Sequence, residues 1–381
     1  MEPAENYQLF SDTYSDGSTA TPHLAAMKST KRVLIVGGGL SGLALAHHLH
    51  KKNVAVTILE AAPRLGGRIM TVTGVLGTPL ELGATWFSGL HTHLTSLLEE
   101  LGLEKYPQFS EGISLFQTKS FEPAQQFYVP AGETPSYRIA GGTQVLIDAL
   151  AARLNPESIK LNTRVRAIGA ETSVLTAETV TGEVFTADIV AVCTPPQLAA
   201  ATIDFEPALP ENLRSMMAGV QTWMAGAIKF VVEYADPFWR EKGYSGMLYS
   251  HAGIMTEMYD HTNREANRFG FTGFLAGGAA GYTREVRQEL VLRQLTALLG
   301  EAAGRPAAYF DKVWNDDIVV SGEPMILRPH QNQGHPALQM PYMEGKLFLC
   351  STEVSTEHPG YLEGAASAAK LVAEKIHVLL C

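Results

Sequence analysis

The stretch KRVLIVGGGLSGLALAHHLHKKNVAVTILE, residues 31–60, decides the architecture. It reads as strand, tight glycine turn, helix and second strand. Val33, Leu34, Ile35 and Val36 form a short apolar run, and Gly37, Gly39 and Gly42 follow at the spacing of a dinucleotide fingerprint. Gly37 lets the chain turn off the strand, Gly39 has no side chain to hold a pyrophosphate away, and Gly42 allows close packing of the new helix, which Ala46 extends. Leu40 and Ser41 open that helix, so their N–H groups and its partial positive charge favour an anionic phosphate. Glu60, about twenty residues past the turn, is placed to accept hydrogen bonds from a ribose diol. Without its flanks the glycine pattern also suits a turn in another α/β protein; strand, helix and Glu60 favour a nucleotide site.

The chain has 381 residues, enough for two domains, and a formal net charge of -10, which argues against nucleic acid. No lysine and arginine cluster suggests an anionic membrane surface, and no run approaches the roughly eighteen apolar residues of a membrane span. Residues 1–30 are polar, without the pattern of a signal peptide, and read as a disordered tail in which Met27 offers an alternative start. Cys193, Cys350 and Cys381 lack paired spacing, which fits a reducing, cytoplasmic setting and no metal site.

Downstream, the loop 61–68 carries Ala61, Arg64, Gly67 and Arg68, which suit the far side of the same pyrophosphate or simply a solvated turn. Gly83, Ala84, Thr85 and Trp86 place small residues beside one large ring, as close backbone approach to a flat ligand requires, while Leu94, Leu97, Leu98 and Leu101 recur at helical spacing. Residues 104–137 read as loop-rich. A helix is expected over 143–154, and the run 184–192 reads as one strand stopped by Cys193-Thr194-Pro195-Pro196 at a domain crossing. Lys229 interrupts the strand-like run 223–234 on a face shared with Ala227 and Val231. It is read either as an exposed edge-strand lysine or as a cation paired with a carboxylate or facing a cavity. A helix over 283–299 and strands at 309–314 and 346–350 follow. Glu353, Tyr361 and Leu362 then lead into a last helix, giving the ligand a second helix N-terminus. His47, His48 and His50 lie on the first helix; the i, i+3 spacing of His47 and His50 could share a metal, but no carboxylate or cysteine joins them locally, and they read as a solvated face.

With these pieces in order, the sequence resembles the flavin-containing amine oxidase family, which includes the monoamine and polyamine oxidases. The resemblance runs from Lys31 to about Val378 through GGGLSG, EAAPRLGGR, ELGATW, RIAGG, NTRV, CTPPQL, AIKFVVEY with the following FW, and TEVSTEHPGYLEGA. It implies that Gly37 to Gly42 bind the pyrophosphate of FAD, Glu60 the ribose, Arg64 and Arg68 the phosphate and ribityl region, and the Val165 backbone the adenine. Ala84, Thr85 and Trp86 would line the isoalloxazine with Gly83 and Thr194 nearby, and Glu353 and Leu362 would hold the ribityl chain and pyrimidine edge. Lys229 falls on the lysine that faces flavin N5 through a water, and Tyr361 on one of two aromatic residues flanking the amine.

The departures are informative. SGEPMIL, 321–327, has neither the cysteine that joins some members to the flavin nor the second cage tyrosine, so FAD is expected to be non-covalent and the cage incomplete. Ala62 stands where many members have arginine, and Ser351 where glycine is usual. The segment between Trp86 and Gly141 is shorter than in monoamine oxidases, which implies a more open site, a bulky substrate, or a homodimer partner supplying a wall. The expectation is an α/β protein: a Rossmann-like FAD-binding domain from 31–88, 139–218 and 321–381, and a smaller α+β substrate domain with a mixed sheet from 89–138 and 219–320. Its expected activity is amine oxidation with dioxygen as acceptor, specificity residing in 104–137 and 244–281. The rivals are an FAD-dependent desaturase or isomerase and a non-catalytic FAD-binding interaction protein.

Overall fold

A computed structural model describes residues 31–132, 134–171, 173–222, 224–315 and 330–380. The tail 1–30 with Met27, Trp223, the segment 321–327 and Cys381 lie outside the described residues. The opening run forms the strand Arg32–Val36, central in a five-stranded sheet with Ala55–Leu59 and Ile159–Lys160 on one side and Ile189–Val192 and Leu347–Leu349 on the other. Every pairing is parallel, so all five strands end at the same edge. That is why Gly37, Glu60, Thr194 and Glu353, distant in sequence, gather there. A parallel sheet is covered on both faces, and Val33 to Val36 are accordingly buried.

One face carries the helices Leu40–His50, Thr92–Leu101 and Leu362–Leu380, packed around Leu43, Ala44, Leu98, Ala366 and Ala369. The second helix starts on a tertiary cap: the Glu363 carboxylate accepts from the His93 and Leu94 N–H groups at 3.0 and 2.8 Å. The other face packs on a four-stranded sheet that includes Val165–Glu171 and Val174–Thr179.

A seven-stranded mixed sheet forms the second layer, in the order Ala308–Val313, Ile228–Tyr234, Phe269–Leu275, Met255–Asp260, Tyr244–Ser250, Gly112–Gln117 and Gln125–Val129. The pairing of Tyr244–Ser250 with Gly112–Gln117 is parallel and the others are antiparallel.

Four readings of the sequence change. The run 184–192 is two strands in different sheets, Val184–Ala187 and Ile189–Val192, parted at Asp188, whose carboxylate accepts from the Arg32 N–H at 2.8 Å. Residues 104–137 hold the strands Lys105–Pro107, Gly112–Gln117 and Gln125–Val129: the last two pair with each other, the first pairs with Ser136–Ile139, and Gly112–Gln117 also pairs with the distant Tyr244–Ser250. The first helix does not present its histidines as one solvated face: His50 is exposed, but His47 is buried and hydrogen-bonds Glu100 at 3.0 Å, and burial lowers His48 to about 4. Lys229 is not on an edge, since strands flank Ile228–Tyr234 on both sides.

Candidate active site

A cavity of about 580 Å³ runs from the glycine turn to the seven-stranded sheet. At its first end, Gly37 adopts a φ of +110°, a left-handed conformation that only glycine takes without strain. A Cβ on Gly42 would stand 2.0 Å from the Gly37 carbonyl oxygen, so the helix packs closely on the turn. A Cβ on Gly39 would meet no protein atom closer than 3.9 Å, and Gly39 lines the cavity. No side chain caps the first helix, leaving the N–H groups beginning at Leu40 and Ser41 beside the cavity. Glu60 bridges the turn and its neighbouring loop: its carboxylate accepts from the Gly38 N–H at 2.6 Å and the Ala62 N–H at 2.8 Å.

Leu40, Ser41, Glu60, Ala61, Gly67, Arg68 and Val165 line this end, and Gly83, Ala84, Thr85, Trp86, Thr194, Lys229, Tyr361 and Leu362 line the remainder. Three anticipated residues stand behind the wall. Gly42 is buried in the helix, and the Arg64 guanidinium donates to the carbonyls of Leu65, Gly67 and Ile69, at 2.7 Å for Gly67. Arg64 therefore clamps its own loop. Glu353 is fully buried and accepts from Arg68 Nη1 at 2.6 Å. Its other carboxylate oxygen, with Thr194 Oγ1 and Ser351 Oγ, is buried without a hydrogen-bond partner among the described residues. Of these, Thr194 lines the cavity, while Ser351 and Glu353 flank Thr352, which lines it too; unpaired buried polar atoms beside a cavity fit a polar ligand there.

At the other end Lys229 is 3% exposed. Its ammonium donates to the Gly83 carbonyl at 2.7 Å and to Thr85 Oγ1, and lies 4.8 Å from the Trp86 ring centre. Burial lowers it to about 7, against the opposing pull of buried Glu81; Arg138 lowers it further. Burial likewise raises the Glu81 carboxyl, which accepts from Thr71 Oγ1 at 3.0 Å and from the Thr143 N–H. Trp86 is held by Gln108, whose Oε1 accepts from the indole at 2.8 Å while its Nε2 donates to the Asp260 carbonyl at 2.8 Å. Tyr361 lines the mouth at 42% exposure, its ring parallel to that of His330 at 6.3 Å between centres.

The sequence reading missed Glu257, Tyr259, Phe274 and Trp314, which also line this end. The first three come from neighbouring strands, so only the register brings them together. The period-two alternation of Glu257 and Tyr259 was the available signal.

Residues 40–131 and 117–377 match the family described as flavin containing amine oxidoreductase. The chain belongs to this family. Residues 4–73 also match the pyridine nucleotide-disulphide oxidoreductase pattern, which overlaps the glycine turn. A probable flavin-containing monoamine oxidase A of Dictyostelium discoideum is 24% identical over 92% of this chain and 98% of that protein. Putrescine oxidase of Kocuria rosea is 28% identical over 73% and 81%. Among solved structures, the cyclohexylamine oxidase from Brevibacterium oxydans superposes with a TM-score of 0.78 at 22% identity, covering 92% of this chain and 99% of that one. This family member is thus an amine oxidase-like oxidoreductase with the expected mixed α/β fold. The Dictyostelium alignment spans 457 positions against 381 residues here, so the relative has segments that this chain lacks.

Proposed function

We propose that the protein is an FAD-dependent amine oxidase. One observation carries this reading: a single cavity joins an uncapped helix N-terminus to a buried lysine beside Trp86. The residues suit FAD, with backbone N–H groups for a pyrophosphate, Glu60 for a ribose and unpaired polar atoms near Arg68 and Thr194. Gly37, Gly39, Leu40, Ser41 and Glu60 would hold the dinucleotide end, and Ala84, Thr85, Trp86 and Leu362 the ring. The absence of cysteine from 321–327 supports non-covalent binding. We assign the FAD domain to 31–88, 139–218 and 321–381, and the substrate domain to 89–138 and 219–320.

When bound, FAD supplies acceptance of hydride at N5 from the carbon beside the amine nitrogen and passage of electrons to dioxygen, giving hydrogen peroxide. The protein orients the amine and excludes water. Tyr361 offers its ring to the amine, and Trp86 adds a second aromatic surface to the cavity wall. Lys229, lowered to about 7, exists in both protonation states near neutrality and can hold a water or pass a proton at Nζ. The amine must be neutral to react, so turnover rises with pH towards the substrate's own pKa. Among the described residues no helix is long and apolar enough to cross a membrane. A cytoplasmic setting is proposed on the unpaired cysteine spacing, and a homodimer on the shortened segment.

An anaerobic titration of the purified yellow protein with primary, secondary and amino-acid amines tests this reading. Bleaching by an amine, then recovery with peroxide on admitting air, is expected. Bleaching without peroxide indicates a dehydrogenase or desaturase, and a flavin that never bleaches indicates a binding protein. Lys229→Met is expected to retain FAD and slow reoxidation; unchanged oxygen kinetics would remove Lys229 from that step.

A further inference from the structure

Two thiols at the edge of the five-stranded sheet have no part in the reading above. Ile189–Val192 and Leu347–Leu349 run parallel in a register that pairs Val192 with Leu349, so the next residues, Cys193 and Cys350, leave the sheet side by side. The Cys350 N–H donates to the Val192 carbonyl at 2.8 Å, which carries the ladder on to this pair. Val192 and Leu349 belong to the core against the four-stranded sheet. Ala191, Phe348 and Cys350 belong to the core under the helices, and Cys193 packs against it, so both thiols lie on one face. Parallel neighbours stand about 4.8 Å apart, inside the roughly 4.4–6.8 Å that the Cα atoms of a disulfide span. Both cysteines are free, and their thiols are hydrogen-bonding neighbours.

The setting joins the pair to the cofactor cradle. Cys193 lines the cavity, and Cys350 is fully buried. The Cys193 N–H donates to the Val36 carbonyl at 2.8 Å, and a Cβ on Gly37 would meet the Cys193 carbonyl carbon at 3.4 Å, so the glycine turn rests on this residue. Thr194 and Ser351, the next residues along each chain segment, hold two of the unpaired buried hydroxyls. A movement of the two strand ends is therefore felt at the turn and at both hydroxyls.

We propose that Cys193 and Cys350 form an oxidisable dithiol, closed to a disulfide by hydrogen peroxide, that loosens the dinucleotide cradle. Cys193 reacts first because the cavity reaches it. Its sulfur gives two electrons to peroxide: an S–O bond forms, the O–O bond breaks, and the thiol proton leaves in water. The Cys350 sulfur then displaces the oxygen, forming the S–S bond, and its own proton leaves in a second water. Burial, with the Cys350 thiol beside it, raises the Cys193 thiol, so it stays protonated at rest and answers sustained exposure to peroxide. In a reducing compartment such a bond is transient, as a sensor requires. The proposal rests on the amine oxidase reading only for the source of the peroxide.

The test adds peroxide directly to the holoenzyme, quenches with acid, and reads the cross-linked peptides by mass. The wild-type protein is expected to lose two hydrogens in a bond joining residues 193 and 350, which dithiothreitol reverses. Its flavin is expected to dissociate on dilution at a protein concentration about tenfold higher than in the reduced form. Cys350→Ser stops at a sulfenic acid on Cys193 that dimedone traps, and Cys193→Ser leaves Cys350 unmodified. Thiols that stay free, a bond through Cys381 instead, or flavin held equally by both forms overturns the proposal. If amines yield no peroxide, the oxidase reading falls alone, because the added peroxide still decides the dithiol.

Discussion

The two ends of the cavity are made of different materials. The glycine-turn end presents backbone: helix N–H groups, a left-handed glycine and Gly39, whose missing side chain opens onto the cavity. The seven-stranded end presents side chains, with Lys229, Phe274 and Glu257 assembled in one row from three strands. Backbone binding needs only a local turn and tolerates many sequences around it. A side-chain wall needs correct register over many residues and a framework of buried polar contacts to hold it, so it is where substrate choice can change while the cradle stays constant.

The largest effect is expected in that framework. Asp260 ends the strand bearing Glu257 and Tyr259 and is 1% exposed. Its carboxylate accepts from the Trp239 indole at 2.8 Å, from Arg240 Nε and Nη2 at 2.7 and 2.8 Å, and from the Thr262 N–H at 2.9 Å. Asp260→Ala leaves a partly buried guanidinium unmatched and is expected to cost about 3–5 kcal/mol in urea unfolding. Below the transition the protein should keep its flavin absorbance, because the cradle is built independently. Parallel loss of flavin would dissolve the distinction between the two ends.

The next test divides the cradle itself. Gly42→Ala drives a methyl into the Gly37 carbonyl oxygen, 2.0 Å from the added atom, and is expected to cost about 1–3 kcal/mol and release the flavin. Gly39→Ala meets nothing within 3.9 Å, and its backbone, at φ −77°, suits any residue. The apoprotein Tm should therefore be unchanged while flavin content falls, because the methyl occupies the space left for a pyrophosphate. A Gly39→Ala protein purified fully yellow would remove close backbone approach from the account.

What the sequence made legible follows the same division. Gly37, Gly39, Gly42 and Glu60 form one continuous motif whose geometry is local, and the parallel order of the sheet follows from strand-turn-helix units. Arg64 was less legible because its three carbonyl partners depend on how its own loop closes. Lys229 was ambiguous because burial of a strand depends on neighbours, here Phe269–Leu275 and Ala308–Val313, that follow it by tens of residues. Glu257 escaped for the same reason, as nothing local to 255–260 says that it lies two strands from Lys229 on the same face.

The smallest effect probes the charge of that lysine by its pH dependence. In an unfolded chain Lys229 titrates near its ordinary 10.5, while in the fold burial lowers it to about 7. Between those values the folded protein has released a proton that the unfolded chain retains, so this group makes stability rise with pH. The slope approaches 1.4 kcal/mol per pH unit within the window. Below about 7 both states are protonated, the slope ends, and the burial penalty is fully present. Glu81 acts with opposite sign: burial raises its carboxyl above 4.5, so its contribution falls as pH climbs from that value through the raised one. Lys229→Met removes the lysine slope and takes a donor from the Thr85 hydroxyl and from the Gly83 carbonyl, which still accepts from Thr85 Oγ1 at 3.0 Å, a loss of about 1 kcal/mol that does not depend on pH. Unfolding both proteins between pH 7 and 9 should therefore show the wild type gaining on the variant as pH rises. Parallel curves would mean that Lys229 keeps its proton throughout, and its place in the mechanism would then be that of a fixed cation.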